Sequence, residues 1–296
     1  MVRLFRSFAV TTLLSAATLA TAGESAEESF IPNFAIGGSY VSGTGDSDFS
    51  NGAGSVSQYE FGFEANVPIV MRDTFRITAG IQYRNNHFDF SGAPFPLGNQ
   101  SFDLHRVDVP VNIWKDFNRK WKMWIRLQPG VYSDFETMSS DDFILTSLAL
   151  VSYQLNDKTK VAFGAFYSKD LGEERILPAL GVIFEPNAHL SLALTFPRVE
   201  LAYAPSEEWL FTGRALLSGG GWNITDPAGG AGDVDLNYKS IRVSAGAEHK
   251  LSGPWWAYVD AGVQFAQEIE IEGANYTFQQ DLDPAAFVTG GVKLRF

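Results

Sequence analysis

Trp255-Trp256-Ala257-Tyr258-Val259-Asp260-Ala261-Gly262-Val263-Gln264-Phe265-Ala266-Gln267-Glu268-Ile269-Glu270-Ile271 alternates between two chemistries. Its odd positions are Trp255, Ala257, Val259, Ala261, Val263, Phe265, Gln267, Ile269 and Ile271, an almost wholly apolar set. Its even positions include Tyr258, Asp260, Gln264, Glu268 and Glu270. Successive side chains of a β-strand point to opposite faces. The stretch therefore reads as one long strand between two different solvents.

The pattern recurs along the chain. Phe75, Ile77, Ala79, Ile81 and Tyr83 oppose Arg76, Thr78, Gly80, Gln82 and Arg84. Tyr59, Phe61, Phe63, Ala65 and Val67 oppose Gln58, Glu60, Gly62, Glu64 and Asn66. Trp121, Met123, Ile125 and Leu127 oppose Lys122, Trp124, Arg126 and Gln128. Val107, Val109, Val111 and Ile113 oppose Arg106, Asp108, Pro110 and Asn112. Two segments, Leu145 to Leu150 and Ile176 to Phe184, are apolar on both faces and leave their phase open.

Connections alternate in length. Short turns fall near Arg72-Asp73, Asp116 to Lys120, Asn156 to Lys158, Glu185 to Ala188, Ala204 to Glu208 and Leu251 to Pro254. Longer stretches rich in Gly, Ser and Asp fall at Gly43 to Ser55, Ser91 to Ser101, Asp134 to Asp142, Asn223 to Asp233 and Glu272 to Pro284. Short turns at one end and long loops at the other fit an all-β, antiparallel up-and-down transmembrane barrel, with periplasmic turns and extracellular loops. The pattern gives about 14 strands, the even number that single-chain bacterial barrels require. If Phe196-Pro197 is a kink rather than a turn between two short strands, the number falls to about 12. A soluble sandwich or lipocalin-like barrel is the rival architecture. Its strands would average about 5–6 residues. Here alternation persists for about ten, the length a tilted strand needs to cross a bilayer.

Tryptophan adds to this. Trp114, Trp121, Trp209, Trp255 and Trp256 sit beside short turns, and are expected to form an interfacial girdle at one membrane surface. The N-terminus reads as an address. Arg3 and Arg6 precede the apolar run Phe8 to Leu19, and Ala20-Thr21-Ala22 is an A-x-A cleavage site. The run is shorter than the roughly 20 residues of a spanning helix. The expected organisation is a signal peptide over 1–22, a short periplasmic segment over 23–32 and a barrel over 33–296. With 22 Lys+Arg and 34 Asp+Glu, the 296-residue chain carries −12. Removing the two leader arginines makes that about −14, which argues against nucleic acid as a partner. Absence of Cys excludes disulfides, thiolate metal sites and an N-terminal lipid anchor.

The chain closes on a strand with Val288, Gly290, Val292, Leu294 and Phe296 on one face. A terminal amphipathic strand ending in Phe resembles the signal by which bacterial outer-membrane barrels are recognised for insertion. That resemblance implies Phe296 as an assembly signal and the barrel assembly machinery as a partner. The stretch Phe196-Pro197-Arg198-Val199-Glu200-Leu201-Ala202-Tyr203-Ala204-Pro205 is similar to a segment in a family of uncharacterised outer-membrane barrels. That family brings no catalytic residues to carry over. About ten residues separate the cleavage site from the first strand, Phe34 to Tyr40, which disfavours a large folded plug.

The polar faces supply the candidate site. Pore-lining positions are Glu60, Glu64, Arg76, Arg84, Arg106, Asp108, Lys122, Arg126, Glu200, Arg214, Arg242, Glu248, Asp260, Lys293 and Arg295. They can set ion or solute preference in a water-filled lumen. They can equally pair with one another and stiffen the interior. The acid-rich loops, with Asp46, Asp48, Asp134, Glu136, Asp141, Asp142, Asp226, Asp233, Asp281 and Asp283, read as a solvated rim rather than a cation site. Asp103/His105 and His87/Asp89 each share a strand face, but no nucleophile accompanies them. No catalytic motif, metal set or cofactor signature is present, so no enzyme activity is expected. The expected role is a passive or substrate-selective pore for small solutes in the bacterial outer membrane, surrounded by its lipid. A non-conducting barrel with a surface-binding or structural role is the alternative, and a barrel enzyme the third.

Overall fold

The computed structural model describes residues 30–31, 35–168, 175–230, 232–273 and 275–295. The expected leader, most of the 23–32 segment and the expected assembly residue Phe296 lie outside the described residues.

The chain forms a closed antiparallel barrel of 14 strands. They are β1 (Ala35–Thr44), β2 (Ser55–Arg72), β3 (Phe75–Ser91), β4 (Ser101–Asp108 continued by Val111–Asp116), β5 (Trp121–Ser133), β6 (Phe143–Asn156) and β7 (Thr159–Ser168). The second half comprises β8 (Arg175–Asn187), β9 (Leu190–Thr195), β10 (Arg198–Ser206), β11 (Trp209–Thr225), β12 (Asp233–Ser252), β13 (Trp255–Gly273) and β14 (Ala285–Arg295). Each pairs with the next, and β14 returns to β1 from Thr44↔Phe287 to Ala35↔Arg295. Closure removes the sheet edge, whose bare N–H and C=O groups hydrocarbon cannot satisfy. The Phe196-Pro197 break is a turn joining β9 to β10, which settles the number at 14 rather than 12.

The wall survives two interruptions. Pro110 has no N–H and splits β4. Gly80 N–H still donates to Pro110 O at 2.9 Å, and Val109 N–H to Pro129 O at 2.9 Å. In β13 the register with β12 shifts beside Ala266, which has φ of 49°. Phe265 and Ala266 are both exposed, whereas Gln267, Ile269 and Ile271 are buried. The alternation of 255–271 therefore does not keep one phase. The extra residue of a β-bulge moves every later side chain to the other face. Below Ala266 the odd positions meet lipid; above it they point inward.

The outer surface of the barrel is a band of exposed apolar side chains, including Val41, Phe61, Ile81, Leu127, Phe163, Leu180, Leu201, Phe211 and Val259. The two segments of open phase also resolve. Leu148 on β6 and Ala179 on β8 face inward and pack with Trp114, Trp124 and Phe166. Leu145, Leu180 and Val182 face outward. Both faces are apolar there because the lumen itself has an apolar patch on that wall.

Two of the five girdle tryptophans need correction. Trp121, Trp209 and Trp255 are exposed beside the short turns, as expected. Trp114 and Trp256 are buried inside the barrel. Trp114 stacks on Trp124 at 6.4 Å between centroids. Trp256 packs with Ala202, Ala204 and Leu210. Proximity to a turn fixes a residue's height along the axis, while strand phase fixes its face. Neighbours such as Trp255 and Trp256 cannot both meet lipid.

The long-loop end is filled. Phe88, Phe90, Leu104, Tyr132, Ile144, Trp222, Leu236, Ile269, Ile271 and Phe278 form one buried apolar cluster drawn from both sides of the barrel. Tyr276–Leu282 folds back on β13 and contributes to it, while Ser47–Asp48 pairs with β2. Above the lipid band β11 crosses the lumen, and Asn223 pairs directly with Ser133 of β5. The glycine run 219–221 permits the crossing. A Cβ on Gly219 would stand 2.1 Å from Tyr238 O, and one on Gly220 would stand 2.4 Å from the Trp222 ring.

Reversal of the outer chemistry should be costly. Val263→Arg places a cation against lipid and is expected to destabilise the barrel by about 2–4 kcal/mol. Reversible urea unfolding in lipid vesicles reads this as a lower midpoint.

Candidate functional site

Below the apolar cluster lies a chamber of about 320 Å³. Trp222 and Tyr238 belong both to its lining and to the loop-end cluster. Ile31 and Leu210 line its other end, next to Trp256. There Phe30 N–H donates to Ala188 O at 2.9 Å, and the Phe30 ring stacks on His189 at 4.5 Å. The chamber thus runs between two apolar layers.

All fifteen expected lumen residues face the interior, buried or partly so. The structure sorts them into three groups. Arg76 and Lys122 meet the Asp116 carboxylate near the short turns, at 3.4 and 3.6 Å. Asp108, Arg126 and Glu248 back the wall without lining the chamber. The rest line it, joined by Arg198. Among the described residues, seven lining cations (Arg84, Arg106, Arg198, Arg214, Arg242, Lys293, Arg295) accompany four carboxylates (Glu60, Glu64, Glu200, Asp260).

The charges are heavily paired. Glu248 on β12, 1% exposed, receives Lys293 at 2.7 Å, Arg295 at 2.6 Å and Arg214 at 3.3 Å. Arg214 also reaches Glu200 at 2.9 Å and Asp260 at 2.7 Å. Glu200 is shared with Arg198. One network therefore ties β10, β11, β12, β13 and β14 together. A second sits on β4 and β5. Arg106 Nε donates to Asp108 Oδ2 at 2.8 Å, and Tyr132 Oη to Asp108 Oδ1 at 2.7 Å. Between them, Arg242 lies 3.7 Å from Glu60, which also accepts from the Tyr40 hydroxyl. Tyr40 lies across Gly62, where a Cβ would stand 2.4 Å from its ring. A charge removed from water is tolerable only when paired in this way.

Several inward groups escaped the sequence reading. Asp116 was assigned to a turn, and Arg198 is the first residue after one. Lys160 and Glu185 pair at 2.7 Å beside two short turns. Tyr40 sits in a glycine-rich strand with weak alternation. Strand parity carried through the turns would have found Lys160 and Glu185.

The histidine pairs are regrouped. His87 Nδ1 bonds Asp103 Oδ1 across strands at 3.0 Å, instead of pairing with Asp89. His105 Nδ1 meets the Tyr83 hydroxyl at 2.9 Å, instead of Asp103, and its ring stacks on Phe135 at 5.0 Å. Residues directly opposite on neighbouring strands lie closer than those two apart on one strand. Both pairs are on the outer face, away from the chamber; Tyr83 lies in the outer band beside Phe61 and Phe63, while His87 and Asp103 sit nearer the loop end. The hydrogen bond from His87 holds the Asp103 carboxyl below the usual carboxylate range. Burial and the Asp226 carboxylate, 2.6 Å away, push the Tyr276 hydroxyl up. Other loop carboxylates serve the backbone: Asp134 accepts from Thr225 N–H at 2.8 Å, and Asp142 from Ser139 N–H at 2.8 Å. Among the described residues no three His, Asp or Glu side chains gather as a metal set.

The family model for a domain of unknown function, DUF6268, matches residues 33–283. No curated protein matches the chain in sequence. Solved structures are similar in shape at low identity. A TodX monoaromatic hydrocarbon channel mutant is 11% identical with a TM-score of 0.44, covering 87% of this chain and 89% of its own. The translocator domain of the autotransporter NalP from Neisseria meningitidis is 10% identical with a TM-score of 0.39, covering 88% of each chain. The Ralstonia pickettii toluene transporter TbuX is 9% identical with a TM-score of 0.34, covering 88% and 90%.

Two substitutions probe these groups. Glu248→Ala strands three partly buried cations and should cost about 3–5 kcal/mol in vesicle unfolding. His87→Ala should return the Asp103 carboxyl to its ordinary range, read as a higher midpoint in a carboxyl-resolved NMR titration. The depressed value means that the Asp103–His87 contact favours the fold at neutral pH. That contribution fades as pH falls through the folded-state pKa of Asp103.

Proposed function

The chain belongs to the DUF6268 family, and from the chamber's position we propose that it is a solute-selective barrel of the bacterial outer membrane, closed at rest. On this reading the short turns face the periplasm and the long loops face outward. Small solutes are its partners, with outer-membrane lipid around it and the barrel assembly machinery inserting it. It takes no nucleic acid, needs no cofactor and catalyses no reaction.

The observation that supports the reading is the filled loop end. An open passive pore needs a continuous column of water. Here the apolar cluster and the Asn223–Ser133 bridge lie across that column. A polar chamber beneath such a layer suits a solute that enters when the layer yields. The charge rows then act on what has entered rather than on bulk ions.

Planar-bilayer recording of the full chain, purified from outer membranes, tests this. The wild-type protein is expected to give a quiet baseline. The double variant Phe88→Ala/Trp222→Ala should loosen the apolar layer and give discrete conductance steps. Heat-modifiable migration checks that both are folded. Steady open-pore steps from the wild-type protein overturn the closed reading. Silence from the folded double variant overturns the channel and favours the non-conducting alternative.

A further inference from the structure

The loop carboxylates expected to form a solvated rim do not all reach water. Asp142 is 0% exposed. It ends a single 3-10 turn, Ser140–Asp142, in the connection from β5 to β6. Its Oδ2 accepts from Ser139 N–H at 2.8 Å. Asp233 opens β12, and its Oδ1 accepts from the Thr137 hydroxyl. The other oxygen of each carboxylate turns to Asn223 of β11, the residue that bridges to Ser133.

Asn223 is 6% exposed. Its Oδ1 stands 3.2 Å from Asp142 Oδ1 and 3.3 Å from Asp233 Oδ2, and its Nδ2 faces only donors. Three acceptors therefore meet in a buried place. Thr225 lies two residues further along the same face of β11, opposite Asp233 in the ladder. Its Oγ1 is also buried without a hydrogen-bond partner. Half a turn of the Asn223 amide would set its NH2 group between the two carboxylates. That supplies hydrogens but no charge. Among the described residues neither Asp142 nor Asp233 forms an ion pair. A buried carboxylate is costly unless a cation accompanies it.

The spacing selects the cation. Calcium takes oxygen ligands at about 2.3–2.6 Å, so neighbours at a right angle around it stand about 3.4 Å apart. The shorter bonds of magnesium would draw them to about 2.9 Å. The distances at Asn223 fit calcium. We propose that Asp142, Asp233 and Asn223 form a calcium site at the loop end, with Thr225 beside it. The ion would clamp β11 to the β5–β6 connection and to the start of β12. None of the three ligands lines the chamber, so the site stands apart from what the barrel admits.

Calorimetric titration of the folded, EDTA-treated full chain with calcium chloride, and separately with magnesium chloride, tests this. The wild-type protein should bind one calcium ion with a Kd of about 10⁻⁴–10⁻³ M, the range of extracellular modules, and magnesium about tenfold more weakly. Calcium should also raise the temperature at which the heat-modifiable band unfolds. Asp142→Asn and Asp233→Asn should each weaken calcium binding by about tenfold and remove that rise, since each takes one charge from the ligand set. Asp281→Asn, exposed elsewhere on the rim, should change neither. Folded wild-type barrel that binds no calcium at about 10 mM, well above the expected Kd, overturns the site and leaves a turned amide between the carboxylates. Calcium binding that is unchanged in folded Asp142→Asn and Asp233→Asn also overturns it, and places the ion on the exposed rim. Magnesium binding as tight as calcium overturns the calcium assignment.

Discussion

Hydrocarbon offers no partner for a peptide N–H or C=O, and every feature of this chain answers to that fact. β14 must find β1, or two rows of backbone groups are left bare in lipid. Closing the ring makes the strand number even when both ends of the chain lie on one side. It also fixes two faces for each strand, one in lipid and one in the interior. The apolar residues of period two go to the first. Only the second can hold charge.

Charge held there brings its own constraint. The lumen is not bulk water, so its ions must find each other. Glu248 does this for three cations from two other strands. The pairing consumes much of the cross-section and leaves a small chamber instead of a wide bore. At the loop end the solution is different. Above the lipid band no charge is needed, and the walls approach until β11 touches β5. A run of three glycines allows a strand that began in the wall to leave it.

The barrel was legible because side-chain alternation is a local property, repeated in nearly every strand. Strand height was legible too, through the turns. Face was less so wherever the two solvents resemble each other. Leu148 and Ala179 point into an apolar part of the lumen, so polarity gives no phase on β6 and β8. Trp114 and Trp256 were placed by height alone and turned out to be inside. Ile269 and Ile271 were assigned to lipid by extrapolating past Ala266, where nothing in the sequence announces a bulge. The charged lumen followed from parity. Its partition did not: which cation meets which carboxylate depends on the stagger of strands far apart in the chain. The closure between Asn223 and Ser133 joins residues with no shared pattern.

The last strand of the barrel alternates Lys293 and Arg295 with Val292 and Leu294. In the observed register the two cations reach Glu248, while the apolar pair lies on the other face. A slip by one residue would exchange them. Both cations would then face lipid, Val292 and Leu294 would face the interior, and Glu248 would keep only Arg214. Backbone hydrogen bonds alone distinguish poorly between neighbouring registers, since each offers nearly the same ladder. The ion network makes the difference large. It therefore proofreads the final seam: the ring can zip shut along many alignments, but only one of them also satisfies the carboxylate waiting on β12.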